Sequence, residues 1–236
     1  MTVARLVFGL SADPVHSGHL QMVTQSATHL IARGYSLAEI LLVPVYRRNP
    51  VGDVKERLPG TYAERFAMCA LAAEVISRRL GSVPVRVSDV EAELARHRSQ
   101  PNYTAETLLL LQRRFRSGTR QVFLISSELV SGPRPQLGRW YRPDRILALA
   151  DLAICPRPGY PLNRSFVRAM AQSGARVILL PQVETPAISS TRLRRLLRAG
   201  YSPVSLHHQG LLPAPVASYL LRHNLYLDEN VARSIS

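Results

Sequence analysis

Apolar, β-branched runs at residues 3–8, 39–45, 83–88, 121–125, 151–155 and 176–180 alternate with segments whose apolar positions recur every three or four residues. That helical spacing covers 19–33, 62–80, 104–117, 142–149 and 163–173, and in the first of these Leu20, Val23, Ala27, Leu30 and Ile31 fall on one face. Such alternation predicts a parallel sheet, because each parallel connection needs a crossover helix and both sheet faces must be covered. The expected architecture is α/β, a Rossmann-like doubly wound sheet. Two shorter helices, about 190–199 and 214–223, are joined by a linker containing Pro and Gly and are expected to form a small C-terminal helical cap. The chain is thus expected to be one domain over 1–236, with its C-terminal helical portion from about 188. Residues 47–60 read as an exposed loop.

Composition narrows the class. A hydrophobic fraction of 46% excludes a disordered chain. No apolar run reaches membrane-spanning length and no charged-then-apolar leader opens the sequence, so neither a membrane partner nor export is expected. Cys69 and Cys155 are the two cysteines, far apart in apolar surroundings, which predicts reduced core thiols and a cytoplasmic protein. The net charge of +14 comes almost wholly from arginine, since Lys55 is the single lysine. A basic surplus favours polyanionic ligands. Here the arginines are dispersed, with no basic tail and no nucleic-acid-binding signature, so a small polyphosphate substrate is favoured over DNA or RNA.

The chemistry concentrates at Gly9-Leu10-Ser11-Ala12-Asp13-Pro14-Val15-His16-Ser17-Gly18-His19, between the first strand and the first helix. Two histidines three apart project from one face of the first helical turn. Backbone N–H groups and the positive end of the helix dipole surround them, which makes an anion site. Gly9 permits a tight turn and Gly18 permits close approach to the helix start. Capping or solvated histidines, and a metal ion shared between them, are the other readings of the same pattern. No third ligand stands nearby beyond Asp13. The segment is neither a Walker loop nor a dinucleotide fingerprint. A second run, Ile188-Ser189-Ser190-Thr191-Arg192-Leu193-Arg194, opens a helix near the other end of the chain. Its hydroxyls serve equally as N-caps or as anion ligands, and Arg194 in the first turn offers a planar fork of donors.

Together these two runs resemble the paired motifs of the nucleotidyltransferase superfamily, and most closely the bacterial nicotinate-nucleotide adenylyltransferase family. That family's first motif has the form Gly-Gly-Thr/Ser-Phe-Asp-Pro-Ile-His-x-Gly-His-Leu, and its last the form Ile-Ser-Ser-Thr-x-Ile-Arg. Between them, Asn102-Tyr103-Thr104-Ala105-Glu106-Thr107-Leu108 is similar to the family's Ser-Tyr-Thr-x-Asp-Thr-Leu. Leu137 to Trp140 and then Arg157-Pro158-Gly159-Tyr160-Pro161 resemble its aromatic and Arg-Pro-Gly stretch. Leu211-Leu212-Pro213 through Asn224-Leu225-Tyr226 resembles its finish. The sequence departs from the pattern at Leu10, at Ala12 and at Ser126-Ser127-Glu128, where the family has Gly-x-Asp. Pro44-Val45-Tyr46-Arg47-Arg48 stands where the family has Pro-Pro-His-Lys.

The resemblance implies adenylyl transfer from ATP, accompanied by magnesium, to nicotinate mononucleotide. Gly9, Leu10, Ser11, His16, Gly18, His19, Ser189, Ser190, Thr191 and Arg194 would then bind ATP, with His16, His19 and Arg194 carrying the chemistry. A protonated histidine ring would add charge to the phosphate grip. Tyr103, Thr104, Glu128, Trp140, Arg157, Arg47 and Lys55 would meet the mononucleotide. As ordinary structure, Thr104 is a helix N-cap and Trp140 a core ring. Nicotinamide mononucleotide or another phosphorylated acceptor is the near alternative. A nucleotide-binding regulator without turnover and a basic nucleic-acid binder are the distant ones. The sequence leaves homo-oligomer formation open.

Overall fold

The computed structural model describes residues 1–47, 58–96, 101–115 and 118–227. Six parallel strands form one sheet: β1 (Thr2–Leu10), β2 (Tyr35–Pro44), β3 (Val85–Val87), β4 (Arg120–Ser126), β5 (Asp151–Cys155) and β6 (Val177–Leu179). Their spatial order is β3-β2-β1-β4-β5-β6, the doubly wound order that the strand–helix alternation predicts. The winding reverses between β1 and β4, and the crevice beyond the carboxyl ends of those two strands is where such sheets bind ligands.

Period-two alternation along β1 sends Leu6 and Phe8 into one core and Val7 into the other. The first core lies under α1 (Ser17–Ala32), α2 (Tyr62–Leu80) and three C-terminal helices, α7 (Ser190–Arg198), α8 (Pro203–His208) and α9 (Ala214–Arg222). Leu20, Leu30, Met68, Ile76, Leu193, Leu206 and Leu220 fill it. The second core lies under α3 (Val90–Arg96), α4 (Thr104–Arg113), α5 (Pro143–Leu149) and α6 (Arg164–Gln172), around Val90, Leu108, Leu111, Ile146 and Met170.

Several boundaries differ from the expectation. The helix α8 occupies what reads in sequence as a linker, because Ser202 caps its start and only Leu206 and Pro203 face inward. Such a short pattern is indistinguishable from a loop. For the same reason α3 has no sequence signature. The helix α4 ends at Arg113 rather than 117, and β2 begins at Tyr35, four residues before its apolar run. Tyr103, not Thr104, is the N-cap of α4. Arg5 sits inside β1, almost fully buried, where a guanidinium needs partners. Glu39 on β2 accepts from its Nε at 2.6 Å, and the Phe115 ring lies against its face.

Candidate active site

The loop after β1, the start of α1, the turn after β4 and the start of α7 enclose a cleft of about 450 Å³. It lies at the reversal point of the sheet. Gly9, Leu10, Ser11, His16, Gly18, His19, Glu128, Trp140, Arg157, Ser189, Ser190, Thr191 and Arg194 all line it. Residues from both ends of the sequence therefore meet at one surface. Tyr103, Thr104 and Arg47 are not on that surface, and Lys55 lies outside the described residues. Tyr103 approaches indirectly, its ring 4.3 Å from that of Tyr141, the neighbour of Trp140.

His16 caps α1 with an extended backbone, and His19 follows in the first turn. Their rings stack with centroids 3.6 Å apart and planes 22° from parallel. The backbone N–H of His16 donates to Nδ1 of His19 at 3.2 Å. Nδ1 therefore accepts, and the neutral ring carries its proton on Nε2. Burial first, and the Arg157 charge second, push His19 down to about 3. Burial, then His19, then Arg157, hold His16 well below the usual imidazole range. The protonated ring expected from the sequence is thus corrected: near neutral pH both rings are uncharged in the free protein. Gly18 leaves room for the His16 ring, since a Cβ there would stand 3.1 Å from its Nδ1 and press on it. The helix start also offers fewer donors than the pattern promises, because Ser17 N–H is spent on the Leu211 carbonyl and His19 N–H on that of His16.

The start of α7 is fastened to the first loop. Ser190 Oγ donates to the Pro14 carbonyl at 2.9 Å, and Ser189 Oγ accepts from Arg192 N–H, so Ser189 does cap the helix. Arg194 is buried, and its Nη1 donates to the Asp13 carbonyl at 2.6 Å while standing 3.5 Å from the Asp13 carboxylate. Arg194 therefore lines the cleft and at the same time bolts one motif to the other. Across the cleft, Arg157 is ion-paired with Glu128, so these two expected ligands hold each other. Ser127 Oγ fixes the same turn by donating to the Tyr160 carbonyl and accepting from Arg157 N–H.

Three supporting residues carry no local signal in the sequence. Arg65 on α2 is 2% exposed and donates to the carbonyls of Gly60, Ser11, Val45 and Tyr46, tying the ends of β1 and β2 together. Glu91 on α3 is buried and accepts from Thr107 Oγ1 at 2.8 Å and Asn102 Nδ2 at 3.0 Å. It thereby sets the start of α4, where Tyr103 and Thr104 lie. Tyr226, after α9, donates to the Asp13 carboxylate at 2.6 Å. Only its place in the closing pattern marks it beforehand.

Residues 7–196 match the model of the family described as Cytidylyltransferase-like. Among curated proteins, the chain is 30% identical over 237 residues to "Probable nicotinate-nucleotide adenylyltransferase" of Dechloromonas aromatica (strain RCB), covering 93% of this chain and 96% of that one. It is 28% identical to the protein of the same name from Klebsiella pneumoniae (strain 342), covering 96% and 98%. Among solved structures it resembles the Plasmodium falciparum nicotinic acid mononucleotide adenylyltransferase complexed with NaAD, with a TM-score of 0.67 at 18% identity. That alignment covers 96% of this chain and 98% of the other, and at such identity it establishes the fold.

Proposed function

The chain belongs to the cytidylyltransferase-like family and, within it, to the nicotinate-nucleotide adenylyltransferases, and from that premise we propose that it joins ATP and nicotinate mononucleotide into nicotinate adenine dinucleotide and pyrophosphate. The observation that carries this reading is the meeting, in one cleft, of His16 and His19 with Ser189, Ser190, Thr191 and Arg194. In the proposed reaction the mononucleotide 5′-phosphate attacks the α-phosphorus of ATP in line and pyrophosphate leaves. That phosphate is already ionised near neutral pH, so the protein need only position two polyanions and stabilise the charge that develops between them.

Neutral imidazoles suit that task as hydrogen-bond donors. Nε2–H of His19 is directed to a phosphate oxygen because Nδ1 is occupied by the His16 amide. Arg194, already aligned by Asp13, supplies fixed positive charge at the start of α7. On the acceptor side Trp140 offers a ring for the pyridine, and the Arg157–Glu128 pair offers a cation for the phosphate and an acceptor for a ribose hydroxyl. Among the described residues no group of three His, Cys, Asp or Glu could hold a metal ion. In this reading magnesium enters as part of the MgATP substrate, carried by phosphate oxygens and water. The described helices include none long and apolar enough to cross a membrane, and both cysteines are free and buried. We extend the reading to a cytoplasmic enzyme whose C-terminal helices belong to the same catalytic unit.

The test is pyrophosphate release from MgATP with nicotinate mononucleotide and, separately, with nicotinamide mononucleotide. Release with the nicotinate acceptor, at higher kcat/KM, is expected. A preference for the amide would reassign the acceptor, and ATP binding without release for either would overturn the transferase reading.

A further inference from the structure

Asp13, within the histidine loop, is held from three remote directions, and two of them, Gly60 and Tyr226, have no place in the reaction just described. Asp13 is completely buried. Its Oδ1 accepts from Tyr226 Oη at 2.6 Å and from Gly60 N–H at 3.0 Å. Its Oδ2 faces Arg194 at 3.5 Å, and its carbonyl takes a second contact from the same guanidinium. Burying a carboxylate is costly without partners; here Oδ1 accepts both hydrogen bonds, while Oδ2 has none among the described residues and faces the Arg194 charge.

The junction is built tightly. A Cβ on Gly60 would lie 2.6 Å from Tyr226 Oη and 2.8 Å from Asp13 Oδ1, so only glycine fits between them. Ala12 and Tyr226 both adopt left-handed backbone, with φ of 56° and 64°. Such strain in non-glycine residues persists only where surrounding contacts impose it, and these two residues flank the same carboxylate. Leu225, Tyr226 and Leu227 also pack against the first core, which anchors the segment behind the phenol. Burial, and then the adjacent carboxylate, raise the phenol far above its ordinary range, so it remains a donor at any physiological pH.

We propose that Tyr226 is a positioning residue for the phosphate-binding loop: its hydroxyl holds Asp13, and through Asp13 the geometry of His16 and His19. The proposal rests on the assignment of that loop to ATP. Among the described residues, Tyr226 is not one of those lining the cleft, so the proposal separates it from the acceptor side. Loss of the hydroxyl should therefore weaken ATP and leave the mononucleotide unaffected.

The experiment uses the full chain with Tyr226→Phe, and Tyr219→Phe as a control that removes a phenol from α9 without touching Asp13. Calorimetric ATP affinity, which needs no turnover, is measured beside KM for each substrate. In Tyr226→Phe, ATP affinity should fall about tenfold, as for a lost hydrogen bond to a charged group, with acceptor KM within about twofold. Tyr219→Phe should match the unsubstituted protein. Gly60→Ala strains the same junction from the opposite side and should give the same ATP-selective signature. Unchanged ATP affinity in Tyr226→Phe, or an equal loss for both substrates with an early melt, would overturn the proposal. Absence of pyrophosphate release from the unsubstituted chain would defeat the adenylyl-transfer reading alone, because the ATP comparison would still stand.

Discussion

The His16 amide donates to Nδ1 of His19 at 3.2 Å while the two rings stack at 3.6 Å, so each histidine fixes the other. His16 supplies the proton that sets the tautomer of His19, and the stack sets its plane. With Nε2–H aimed by this arrangement, His19→Ala removes a preorganised donor, a loss worth about 2.7–4 kcal/mol in the barrier. Turnover should fall about 100-fold or more by pyrophosphate release, with the far-UV spectrum unchanged. A fully active variant would remove His19 from the reaction.

The same burial has a cost in acid. The His19 ring takes up its second proton only near pH 3 in the folded protein, whereas in the unfolded chain it does so near 6.5. The unfolded state thus binds more protons between those values, and stability must drop as pH falls through that window. Thermal melts of the unsubstituted protein should show that slope. In His19→Gln it should be shallower, with His16 supplying the remainder.

Arg65 donates to four carbonyls, those of Gly60, Ser11, Val45 and Tyr46. Arg65→Met keeps the length of the stem and leaves those acceptors buried, which should cost at least about 3 kcal/mol. The urea midpoint is the measure. Arg65→Lys should rescue little, since an ammonium cannot span carbonyls from three separate loops.

Glu91→Gln leaves one oxygen to accept from Asn102, and its amide would force the Thr107 hydroxyl to turn from donor to acceptor. The start of α4 should loosen, at a cost of about 1–3 kcal/mol in stability. Kinetically, KM for the mononucleotide should rise while KM for ATP stays put. An equal change in both would place Tyr103 and Thr104 outside the acceptor subsite.

The sheet and most of its covering helices are legible from periodicity, because a buried parallel strand and a one-sided helix each impose a repeat. The two motifs that line the cleft are legible because their chemistry is local: histidines one turn apart, hydroxyls at a helix start. Arg65 illustrates what is not. Its acceptors are main-chain atoms, which any residue supplies, so nothing in the order of side chains points to them. Glu91 escapes notice because α3 is too short to show a repeat. The pairing of Glu128 with Arg157 is invisible because it crosses two connections, and each residue alone resembles a free ligand. Burial decides the charge of His16 and His19, and burial is a property of the finished fold.

Asp13 is reached by partners 47, 181 and 213 positions further along. During synthesis the histidine loop leaves the ribosome 213 residues before its last fastener emerges. A nascent chain therefore carries the recognisable motif long before it has a shaped grip on nucleotide. Premature termination, or clipping of the segment after α9, would leave a protein that still displays the motif but holds it slack. Competence to handle ATP is in this way deferred until translation has passed Tyr226.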